Sequence, residues 1–74
     1  MTHRKDPIPD VYDVAIEAIG TADPLDHYRT RLAWAVEEVG RTAGRRRLDL
    51  RVLIVRLEGA VAAESVRVKQ AEVM

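Results

Sequence analysis

Between Leu48 and Ala62 one stretch of chain carries apolar residues on two nearly opposite sides. Drawn as a helix, Leu50, Leu53, Ile54, Leu57 and Val61 form one stripe. Leu48, Val52, Val55 and Ala62 form a second. A helix of this kind must cover both faces. A chain of 74 residues has few means of doing so alone, because a core of that size contributes only a few kcal/mol of net stability. Cysteine is absent, so neither disulfides nor thiolate-bound metal can compensate. A second copy of the chain is the expected cover. We therefore expect a homodimer joined through this segment, with Leu50, Leu53, Ile54 and Leu57 in the interface. The sequence LDLRVLIVRL is also rich in β-branched residues and opens with alternation, so a strand is the competing reading. Helical signals on both sides favour the helix.

Those signals are specific. Residues 1–9 are charged and contain Pro7 and Pro9, which lack backbone donors, and they read as a flexible arm. Asp10 is a good N-cap for a first helix with Val11, Val14, Ala15, Ala18 and Ile19 at helical spacing, closed by Gly20-Thr21. Asp23-Pro24 pairs a capping carboxylate with a proline at the first helical position, where its missing N–H costs nothing. The second helix is predicted from Pro24 to about Ala43, with Leu25, Tyr28, Leu32, Val36 and Val39 as its apolar stripe. Gly40 and Gly44 weaken it ahead of Arg45-Arg46-Arg47. The expected fold is all-α, a small bundle of three or four helices in a single domain over residues 10–74.

Charge and motif content narrow the function classes. Twelve basic residues balance twelve acidic ones, so no overall cationic field draws the chain to nucleic acid. Uncharged apolar runs such as Val52 to Val55 are too short to cross a membrane. The first ten residues have no apolar segment behind their positive charge, which argues against a signal peptide and for a cytoplasmic protein. His3 and His27 lie in different elements without a partner at ligand spacing. Asp10 and Asp13 share a helix start, where capping is the commoner role than general acid–base work. No nucleophile elbow or glycine-rich phosphate loop is present. Enzyme activity, bound metal and cofactors are therefore not expected.

Two groups of residues suggest binding. Trp34 falls opposite the apolar stripe of the second helix, among His27, Arg31, Glu38 and Arg41. Trp and Arg together are common interface anchors, so Trp34, Arg31 and Arg41 are expected to meet a protein partner, with a second contact inside the chain as the alternative. Arg45, Arg46 and Arg47 form the one cationic cluster. It can contact phosphates or act as a solvated link beside the end of the second helix.

The last quarter, RLEGAVAAESVRVKQAEVM, has the spacing of a support helix, a turn and the start of a recognition helix. Taken with Val14 to Ile19, Ala22-Asp23-Pro24, Arg45 to Arg47, Leu53 to Gly59 and Ala62 to Val73, the layout resembles small actinobacterial proteins with a sigma-factor-region-4-like helix-turn-helix. Arg67 stands where that family has its turn glycine. The resemblance implies a compact C-terminal helix-turn-helix and a dimeric transcriptional regulator. DNA contacts would come from Arg67, Lys69, Gln70 and the Arg45–Arg47 cluster. The alternative is an adaptor that keeps the scaffold and binds another protein.

Overall fold

A computed structural model describes residues 8–73, and these form three helices, α1 (Val11–Ile19), α2 (Pro24–Gly40) and α3 (Arg45–Val73), with no strand among them. The all-α expectation holds, and Leu48–Leu57 is helical. The arm predicted over residues 1–9 lies outside the described residues as far as position 7. Ile8 and Pro9 are half-buried, and Ile8 packs against the core.

Local chemistry sets the helix limits. The Asp10 carboxylate accepts from the Tyr12 and Asp13 backbone N–H groups at 2.7 and 3.1 Å, and Asp13 accepts in return from the Asp10 N–H at 3.2 Å. This reciprocal box satisfies donors that the first turn leaves free, and it assigns both carboxylates to capping. Thr21 Oγ1 donates to the Ala18 carbonyl at 2.8 Å at the other end of α1. Asp23 caps α2 by accepting from the Asp26 N–H at 3.2 Å, with Pro24 as the first helical residue. α2 stops at Gly40, three residues short of the expected end. The link that follows contains Gly44 at φ +72°, a conformation that costs a residue bearing Cβ. The Gly44 carbonyl accepts from the Arg47 and Leu48 N–H groups at 3.1 and 3.4 Å, which starts α3.

α3 corrects the expected C-terminal helix-turn-helix. It runs 29 residues without a break, through both Gly59 and Arg67. A single helical glycine costs about 1 kcal/mol against alanine, too little to stop a segment whose neighbours include Leu57, Glu58, Ala60, Ala62 and Ala63. No residue other than glycine among those described has positive φ. Arg67 is therefore an ordinary helical residue, and its guanidinium lies 2.6 Å from Glu64, one turn back.

The core is small. Val14, Ala18, Ala35, Leu50, Leu53 and Leu57 are buried, and Tyr28, Leu32, Trp34, Val39 and Ile54 pack around them half-covered. α2 packs chiefly against α3, and α1 lies over both. At ~1.5 Å per residue α3 outruns α2 by roughly 18 Å, which stretches the molecule to 53 × 22 × 17 Å. Every residue from Val66 to Glu72 is exposed.

Candidate interaction face on the third helix

The two stripes of α3 have opposite fates. Leu50, Leu53 and Leu57 are buried inside the chain and Ile54 is half-buried against them. These four were expected in a dimer interface, but the three leucines belong to the chain's own core and Ile54 packs against it, half-covered. The opposite stripe is free: Leu48 is 60% exposed, Val52 53% and Val55 68%. The physical reason is side-chain area. Three leucines and an isoleucine remove more apolar surface from water than a leucine and two valines, and hydrophobic stabilisation scales with that area.

The outer stripe extends further than its first three residues. Leu48, Val52, Val55, Gly59, Ala62 and Val66 follow one another at intervals of four, three, four, three and four along an unbroken helix. All six are exposed. This is the spacing of a seam between two helices, with Val52, Gly59 and Val66 at one type of seam position and Leu48, Val55 and Ala62 at the other. Arg51 and Glu58 border the seam on one edge, Asp49 and Arg56 on the other. None of these four takes part in the ion pairs found among the described residues, which are Glu17–His27, Glu17–Arg31, Glu37–Arg41 and Glu64–Arg67. Arg51, Val52, Val55 and Arg56 line a shallow open depression. A second hollow lies between the start of α1 and the Asp49–Arg56 edge, lined by Ile8, Pro9 and Val11 from one side and Val52 and Leu53 from the other. Gly59 sits mid-seam, and a Cβ built there meets nothing within 4 Å. The fold of the single chain gives no reason for glycine at that position.

Residues singled out for DNA contact are dispersed. Arg45, Arg46 and Arg47 fan around the first turn of α3 at about 100° intervals, with Arg46 half-buried and the other two exposed. Lys69 and Gln70 are exposed on the projecting end of the same straight helix, roughly 35 Å away along its axis. The turn expected ahead of Lys69 and Gln70 is not made by α3. Arg67 is paired with Glu64, whose carboxylate holds the guanidinium pKa above its ordinary value, first by hydrogen bonding and then by charge.

Trp34 lies on the side of α2 that α1 covers. His27 and Arg31, on the same side, both reach Glu17 of α1, His27 Nε2 at 3.1 Å and the Arg31 guanidinium at 2.9 and 3.2 Å. Trp34 is half-buried against the core below them. The intramolecular alternative thus accounts for Trp34, and Arg31 is engaged within the chain. Arg41 caps α2 and pairs at 3.4 Å with Glu37 on the exposed surface. Hydrogen bonds from Arg31 and then His27 hold the Glu17 carboxyl below the usual carboxylate range. His3 lies outside the described residues, and no group of three or more potential metal ligands occurs among those described. No described helix is long and apolar enough to cross a membrane.

Two features escaped sequence reasoning: the continuation of the seam through Gly59 to Val66, and a second bare row on α1. Tyr12, Ile16 and Ile19 are 70, 68 and 83% exposed. Both were available as four-and-three spacings. No protein-family model matches the chain, nor does any curated protein or solved structure.

Proposed function

We propose that this chain is a protein-interaction module that presents the outer face of α3 to an apolar-faced helix, and that it is neither an enzyme nor a cofactor carrier. One observation carries the reading: among the described residues six side chains form the core, while nine large apolar side chains stay exposed, and four of those nine share a single face of α3. Exposed apolar residues scattered singly need no explanation, but a contiguous row bordered by charge is what a helix-binding surface requires. The module rests on a scaffold held internally by α2 and the Glu17 clasp, so the outer face is available without disturbing the core.

DNA recognition, implied by the sequence resemblance, has less support. The chain is neutral overall, and its candidate cations are spread along α3 without a turn to join them. Binding to duplex DNA at low salt that weakens steeply as salt rises would restore that reading.

The test is a photo-crosslinking residue at Val55 in cells expressing the chain, with Glu37 as an exposed control. A discrete protein adduct at position 55 and none at position 37 is expected, whether the captured protein is another copy or a different chain. No adduct at position 55 would sink the proposal.

A further inference from the structure

We infer that the occupant of the outer face of α3 is a second copy of this chain, docked antiparallel about a twofold axis that passes between Val52 and Val55. The inference rests on the interaction reading above and adds the partner and its register. The seam spacing already calls for a helix of the same kind, and the charges along its edges select among the ways two copies can meet.

In a parallel pairing, each Arg51 falls beside the partner's Arg56, a like-charge contact repeated on both sides. In an antiparallel pairing each edge of the seam faces the same edge of the other copy. With Val52 opposite the partner's Val55, Asp49 meets the partner's Arg56 on one edge and Arg51 meets the partner's Glu58 on the other. Symmetry doubles both contacts, so all four residues, which form no ion pair among the described residues, acquire opposite charges together. Sliding the copies by one heptad destroys this. One direction sets Arg56 and Glu58 against their own counterparts, and the other does the same to Asp49 and Arg51. A slide of two heptads toward the C-terminus brings Lys69 opposite the partner's Val52, driving an ammonium into an apolar seam.

Gly59 supplies an independent reason. In the favoured register it lies opposite the partner's Leu48, the largest side chain of the seam. A glycine that the isolated chain has no use for there becomes the space into which that leucine fits, at a helix cost of about 1 kcal/mol.

The absence of cysteine makes disulfide trapping clean. Leu48→Cys and Gly59→Cys chains are prepared separately, mass-tagged, and oxidised alone and mixed, with light scattering of the unmodified chain alongside. A dimer that yields the mixed 48–59 disulfide, and little from either variant alone, is expected. In this register, positions 48 of the two copies stand about 16 Å apart along the axis, too far to bridge. Efficient trapping of Leu48→Cys alone means a parallel dimer, and a dimer with no disulfide means another register; either overturns the inference and leaves the interaction reading standing. A concentration-independent monomer also overturns it, and the reading itself fails only if position 55 captures no protein in cells. As a second arm, Arg51→Glu should weaken dimerisation by about tenfold through two new like-charge contacts, and adding Glu58→Arg should recover it. A parallel dimer would instead be strengthened by Arg51→Glu. Both residues are exposed, and unchanged circular dichroism will confirm that the variants fold.

Discussion

The inner and outer faces of α3 are built from the same kinds of residue over the same turns, yet one is core and the other is bare. Leu57 and Val55 lie two residues apart. Leu57 is fully buried, whereas Val55 is 68% exposed. Apolar character along a helix therefore states what must be covered, not by what. The inner face is covered by α1 and α2, which have no second layer with which to reach the outer one.

The sharpest way to break this contrast is to truncate one side chain on each face. Leu57→Ala should destabilise folding by about 3 kcal/mol, because it opens a cavity in a core with little capacity to collapse. Val55→Ala should change the stability of the single chain by less than about 0.5 kcal/mol while weakening self-association. Urea unfolding at a dilution that keeps the chain monomeric measures both. Similar losses for the two would mean that the faces are not distinct.

The connection before α3 sets which face turns inward. Gly44 has φ +72° and open space around the position of a Cβ, so Gly44→Ala is a test of backbone strain alone. It should cost roughly 1–2 kcal/mol in the same unfolding assay. Gly59→Ala should move the other way, stabilising the monomer by about 1 kcal/mol while weakening the dimer by crowding the partner's Leu48. An alanine that improves both would remove the packing explanation for this glycine.

The smallest expected effect lies away from α3, in the clasp joining α1 to α2. Glu17→Gln should cost less than about 1 kcal/mol, since the pair is partly exposed. Because the folded-state pKa of Glu17 is lowered, chiefly by Arg31, its contribution is present above the ordinary carboxylate range and is lost as pH falls through the lowered value. Acid titration of stability should show this component in the wild type and not in the variant.

Much of the fold was legible from short-range chemistry. Asp10 and Asp23-Pro24 mark the helix starts because a cap is made by a side chain and a backbone N–H within three residues, so no tertiary partner is needed. The end of α2 was placed late, since Gly40 to Gly44 weakens a helix without stating where it stops. Trp34 was read as an interface anchor because its neighbours are charged. His27 and Arg31 both reach Glu17 of α1, and the tryptophan is half-buried against the core. In the C-terminal quarter, the spacing of a helix-turn-helix was present in the sequence, but the strongly helical residues around Gly59 and the Glu64–Arg67 pair carry α3 straight through.

The sequence by itself determined that this chain is helical, where α1 and α2 begin, and that the Leu48–Ala62 stretch, as a helix, carries two apolar stripes. These follow from capping, periodicity and propensity, which act over a few residues. Tertiary structure alone decided what covers the more strongly apolar stripe, that Arg31 was engaged within the chain, and that Leu48, Val52, Val55 and Val66 were left exposed. The larger side chains of the inner stripe favour its burial, but which elements cover it, and how far along α3 that cover reaches, depends on the surfaces the connections bring together.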